Sequence, residues 1–208
     1  MSATKRICLL AVLTATLTGG KMAIAIPNVE IVTLLFIVYA LVFGWRNTII
    51  VSVLFVLIEI MIWPPDPRWI TLYFIHWPAL VTATAFLPRK IGKFRIVAAV
   101  AIGIAFTAFF GVLSTTIDVV LMGGIGSGYF RPVFGFIYLA GVPLFITHIV
   151  SNSIILPTLV PMLSKALKRM AFVGNNSHTM KCVYMGTKNC RHCQDCHANR
   201  GVGGGSGV

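Results

Sequence analysis

Apolar residues in this chain gather into long blocks with little polar material inside them. Six such segments can be read, at residues 7–17 (extending toward 26), 29–43, 48–63, 69–87, 96–122 and 133–156. A membrane-spanning helix needs about 20 apolar residues, with a range of about 17–25. The blocks come close to that length, so the pattern predicts lipid-facing helices. The second and third segments are short, which predicts local bilayer thinning or helix ends extending into the loops. The interruptions carry turn chemistry: Gly19-Gly20, Pro27-Asn28, Gly44-Trp45-Arg46-Asn47, Pro64-Pro65-Asp66-Pro67 and the glycine-rich run at 123–128. Connections this short imply antiparallel neighbours. The expected fold is therefore all-α: a polytopic bundle of six transmembrane helices over residues 1–170, followed by a tail at 171–208.

Charge orients the bundle. With the N-terminus inside, the inner side receives Lys5, Arg6, Arg46, Arg89, Lys90, Lys93, Arg95, Lys165, Lys168 and Arg169, and the outer side receives Lys21, Arg68 and Arg131. This asymmetry follows the positive-inside rule and puts both termini in the cytoplasm. Trp45, Trp63, Trp69 and Tyr129 fall at segment ends, as an interfacial aromatic belt requires. A competing reading takes Lys5-Arg6 and the first apolar stretch as a secretory signal peptide, with Ala23-Ile24-Ala25 as the cleavage region. That would leave five helices.

Composition agrees with a membrane setting. The 208 residues are 57% hydrophobic and 11% charged, and mean hydropathy is +0.89. A soluble domain has about 25% charged residues. The formal net charge of +12 would suggest nucleic acid in a soluble protein. Here most of the basic residues sit in short loops and the tail, where topology and lipid headgroups account for them, so no nucleic-acid partner is expected.

Ionisable side chains inside a membrane are costly and mark function by default. The topology puts most of them at one depth. Asn28 and Glu30 lie at the outer end of the second segment, and Glu59 lies about one turn from the outer end of the third. Tyr73, His76 and Trp77 share one face of the fourth, one to two turns in. The fifth carries Thr107, Ser114 and Asp118 at helical spacing. Each has a plainer account alone: Glu59 at the headgroups, His76 in packing, Asp118 at a helix end, Glu30 as an N-terminal charge favoured by the helix dipole. Their shared depth points instead to an outward-facing pocket for a small polar molecule. Three outer acids hint at a cationic or amine-rich ligand, while paired acids also serve neutral heterocycles through hydrogen bonds. No nucleophile–base pattern and no nucleotide motif appears in the membrane segments, and the loop at 123–128 lacks the Lys-Ser/Thr of a phosphate cradle. The chain is not expected to be an enzyme.

Two runs, Ile26-Pro27-Asn28-Val29-Glu30-Ile31-Val32-Thr33-Leu34-Leu35 and Tyr39-Ala40-Leu41-Val42-Phe43-Gly44, carry a family likeness. So does the stretch from Asn152 through Leu156-Pro157 to Lys165-Ala166-Leu167-Lys168-Arg169. Over about residues 7–169 the sequence resembles the substrate-binding S components of energy-coupling factor (ECF) transporters. The resemblance implies a six-helix subunit of a prokaryotic plasma membrane. It would bind a vitamin or similar micronutrient from outside, beneath the loop at 18–28. It also implies docking on a membrane-embedded T component through a small-residue face, here Ala11 and Ala15, with two cytoplasmic ATPases supplying the energy.

The tail departs from that family. It holds Cys182 and the run Cys190-Arg191-His192-Cys193-Gln194-Asp195-Cys196-His197. Cys190, Cys193, Cys196 and His197 have a spacing that chelates zinc or another soft metal. The end of that run also fits a c-type haem attachment pattern, which requires the opposite side of the membrane. A disordered appendage is the remaining reading. No cofactor is expected in the membrane domain. Two further functional classes stay open beside capture: a metal- or redox-sensing membrane protein working through the tail, and an integral-membrane enzyme using His76 with Glu59 or Asp118.

Overall fold

A computed structural model describes residues 3–23, 31–88, 94–123 and 129–184, with side chains to 169. Among the described residues every regular element is an α-helix: α1 (Ala3–Ala23), α2 (Val32–Val42), α3 (Trp45–Ile62), α4 (Pro67–Ala85), α5 (Phe94–Leu121) and α6 (Phe130–Tyr184). The chain divides into two compact units, Met1–Ser164 and Lys165–Val208. In the second, the described side chains of Lys165, Lys168 and Arg169 are exposed.

Among the described residues, four helices are long and apolar enough to cross a membrane: α1, α3, α5 and the stretch Phe130–Arg169 of α6. Their outward faces carry bare apolar groups, with Met61 86%, Phe136 77% and Leu139 71% exposed. Water would penalise such a surface, whereas hydrocarbon is its natural solvent. The other two helices differ from the expected spans. α2 has 11 residues, a rise of about 17 Å, which is well short of the hydrocarbon core. Yet every residue from Val32 to Leu41 is buried, so α2 is the bundle's central pillar, packed against α1, α3, α4 and α5. α4 has the length, but its Arg, His, Trp and Thr residues keep it out of the strongly apolar set.

Helix ends follow local chemistry. Gly44, at φ 79°, caps the start of α3 in the left-handed region that a side chain would strain. Asp66 caps α4, with Pro67 at the first helical position, where its missing N–H costs nothing. The sixth apolar segment, read as ending near 156, is followed by helix as far as Tyr184. Pro143, Pro157 and Pro161 lie inside α6 without ending it. Hydroxyls near these prolines fold back onto the helix's own carbonyls: Thr147 donates to that of Pro143 at 2.9 Å, and Thr158 donates to those of Ile154 and Ile155 at 2.8 and 3.0 Å.

The core is layered aromatic and aliphatic. The fully buried Trp77 stacks on Phe36 at 5.2 Å between centroids and meets Phe55 and Tyr73 edge-on. α1 buries Leu13, Thr14, Leu17 and Thr18 as one stripe. Its opposite face leaves Ile7, Ala11, Val12 and Ala15 exposed.

Candidate functional site

The site is built where the end of α1, the end of α3 and the start of α4 meet. Glu59 lies on the last full turn of α3 and has no exposed surface. A lone carboxylate there would be prohibitive, and Lys21 resolves the problem. Lys21 sits in the last turn of α1, where a helix dipole favours a cation, and its ammonium pairs with Glu59 Oε2. The same Nζ donates to Tyr73 Oη at 3.2 Å and lies 4.9 Å from the Tyr73 ring centroid and 5.8 Å from that of Phe55. One ammonium thus holds three helices together through a charge, a hydroxyl and two aromatic faces.

Beside this pair is a cavity of about 450 Å³, within the range of small-molecule sites. Lys21 and Glu59 form its charged wall. Trp63, Trp69 and Tyr73 supply broad aromatic faces, and Pro64 and Asp66 come from the linker between α3 and α4. Trp69 meets Tyr73 edge-on at 5.6 Å, and Tyr73 stacks on Phe55 at 6.4 Å. Glu59 Oε1 is buried and has no hydrogen-bond partner among the described residues.

Asp66 has its own cation. Its carboxylate accepts from the Arg68 backbone N–H at 2.9 Å and from the Arg68 guanidinium at 2.7 and 3.1 Å. These hydrogen bonds, side chain first, hold the Asp66 carboxyl below the ordinary aspartate value of 3.8. A depressed acid contributes stability above its unfolded value and loses it as pH falls through the folded value. Hydrogen exchange at the first-turn amides of α4 should therefore be steady from neutral pH down to about 4, after correction for intrinsic rates, and should accelerate below that. Asp66→Asn should keep the cap but abolish the acid transition.

The structure places the sequence candidates in three groups. Glu59 and Tyr73 line the cavity together. Trp77 and His76 are buried near it without lining it: Trp77 is part of the aromatic core, and His76 packs edge-on against Phe106 and Phe110 at 5.7 and 5.0 Å. On the other side of that contact Phe110 meets His148, and Asn152 donates to Thr107 Oγ1 at 3.3 Å. Asp118, on α5, is half-buried and does not line the cavity, although Arg68 and Asp66 are near enough for their charges to act on it. Among the described residues, α1, α3, α4 and the linker between α3 and α4 supply the lining, which includes Glu59 and does not include Asp118. Asn28, Glu30, Cys190, Cys193, Cys196 and His197 lie outside the described residues. Ala11 and Ala15 are exposed on α1.

Sequence reasoning missed Lys21, Trp63, Trp69 and Asp66 as site residues. Lys21 had been counted only as an outer loop charge. The available signal was its depth: one cation at the same level as the outer acids, at the end of an apolar segment. Trp63 and Trp69 had been assigned to the aromatic belt, which has the same composition as an aromatic pocket mouth. Among the described residues no group of three or more His, Cys, Asp or Glu side chains is placed to hold a metal ion. Compared with known protein families, curated proteins and solved structures, the chain matches none.

Proposed function

We propose that this protein is the substrate-capture subunit of an ECF-type micronutrient uptake transporter in a prokaryotic plasma membrane, with six membrane-embedded helices and both termini in the cytoplasm. The observation that carries the reading is the cavity at the junction of α1, α3 and α4, with three aromatic walls and one buried ion pair. Such a site offers stacking area and a few fixed polar atoms, which is the chemistry of small-molecule binding. The positive-inside rule puts the ends of α1 and α3 on the external side. The described helices carry no nucleotide-binding motif, so energy would come from a T component and two ATPases. The exposed face of α1 bearing Ala11 and Ala15 would dock on that T component.

Small-molecule mass spectrometry of the purified full-length protein tests the capture reading. One compound should be retained by the wild type, and Tyr73→Ala should lower its retention about tenfold, a loss of ~1.4 kcal/mol. A wild-type protein that retains nothing, alone or after exposure to cell extract, would sink the proposal. The docking claim has a separate readout. Ala11→Leu with Ala15→Leu should reduce uptake at least tenfold in cells carrying the ATPase module, while the isolated variant keeps its ligand. Loss of ligand as well would show that these alanines serve packing within the subunit.

A further inference from the structure

We infer that the cavity takes an uncharged, planar heterocycle presenting adjacent N–H and C=O groups, a lactam edge, to Lys21 and Glu59. This rests on the capture reading above and names the class of ligand for that same site. Charge is the first consideration. The two acids of the cavity each carry a dedicated cation, Lys21 for Glu59 and Arg68 for Asp66. Asp118, the remaining acid among the described residues, does not line it. The described lining is therefore electrically balanced before any ligand arrives. A cationic ligand would have to displace Lys21 to reach Glu59, and an anionic one would draw Lys21 away and strand a fully buried carboxylate. Either leaves a desolvated charge without its partner, the costly outcome for buried ion pairs. A neutral ligand leaves the pair intact.

Hydrogen-bonding capacity is the second consideration. Glu59 Oε1 is buried without a partner among the described residues, and a buried acceptor left unsatisfied favours any ligand that brings it a donor. Lys21 has three N–H donors. Glu59 Oε2 and Tyr73 Oη take two of them, which leaves one for a ligand carbonyl. An acceptor and a donor therefore stand side by side, spaced by the ion pair itself. The complementary pattern on a ligand is an N–H next to a C=O. Shape is the third consideration. Trp63, Trp69 and Tyr73 provide flat faces, and a planar ring gains both area and stacking from them.

A matched series of quinoline probes tests the assignment, using the full-length protein in lipid nanodiscs with empty nanodiscs as the blank. The probes are 2-quinolone, N-methyl-2-quinolone, the N-methylquinolinium cation and quinoline-2-carboxylate, titrated by calorimetry up to millimolar concentration. 2-Quinolone should bind at least tenfold more tightly than each of the other three. Glu59→Gln, which can turn an amide donor toward the position of Oε1, should erase that tenfold preference. Tighter binding of the cation or the anion overturns the assignment, as does equal binding of the N-methylated lactam, and so does the absence of binding by all four. Those failures are distinguishable from failure of the capture reading. A charged compound retained in the mass-spectrometric experiment would leave capture standing while removing the lactam class, whereas retention of nothing would remove both.

Discussion

Lys21→Met should destabilise the folded protein by about 3 kcal/mol, the low end of the range for breaking a buried ion pair. The cost does not come chiefly from the lost attraction. It comes from Glu59, which has no exposed surface and would be left buried without its partner. The low end applies because Lys21 retains 20% side-chain exposure, so its removal lets some solvent toward the carboxylate. The double variant Lys21→Met with Glu59→Leu should return to within about 1 kcal/mol of the wild type, since apolar replacement of a whole buried pair is often neutral. Thermal unfolding in one detergent, run on the wild type, both single variants and the double variant, gives the coupling energy directly. Additive losses in the double variant would mean that the pair does not hold α1 to α3. Tyr73→Phe is a useful companion, because it removes the 3.2 Å hydrogen bond to Lys21 while keeping the ring under the ammonium. Its effect should be about 1 kcal/mol.

That ion pair also shows where the sequence was readable and where it was not. Helix type and approximate position followed from the apolar blocks, because a helix must satisfy its own backbone in a medium without water. α3, α4 and α5 lie within a few residues of where the blocks put them. The readings were less successful where two physical causes leave the same mark. An apolar run of 15 residues reads as a short span, but α2 is apolar on every side because protein surrounds it on every side. The sixth block reads as ending at 156, just before Pro157, and α6 continues past both Pro157 and Pro161. A tryptophan at a segment end fits both a belt and a pocket wall. Depth could be read from topology, so Glu59 and Tyr73 were placed together. Azimuth could not, and it is azimuth that brings Lys21 into the described lining, where Asp118 is not found.

Azimuth is also what makes α5 intolerant of ordinary side chains along one line. Gly103, Thr107, Gly111 and Thr115 recur every four residues and are all buried, and the threonines fold back onto the Gly103 and Gly111 carbonyls at 2.8 and 2.9 Å. The stripe thereby presents a nearly smooth groove, and α6 fills it. The Phe145 ring lies against Gly111, where an added Cβ would meet its Cγ and Cδ2 at 2.7 Å, and against Gly141 one turn earlier on α6, where Cζ would be at 2.6 Å. The ring is held between two glycines and has no flexible end that could yield. Helix contact in a membrane depends on such fit, because lipid is as apolar as the helices it would replace. Gly111→Val should therefore cost about 3 kcal/mol, the upper end of the overpacking range. Gly103→Ala should cost less than about 1 kcal/mol. The atoms an added Cβ would meet there are the terminal methyls of Ile37 and Leu156, which can change rotamer. In a Phe145→Ala background the same Gly111→Val change should cost no more than about 1 kcal/mol, because the valine then occupies space the ring has vacated. Chemical unfolding of the five proteins in mixed micelles measures each difference. If Gly111→Val is as costly without the phenyl ring as with it, the penalty belongs to α5 alone, and the seam between α5 and α6 is not held by this contact.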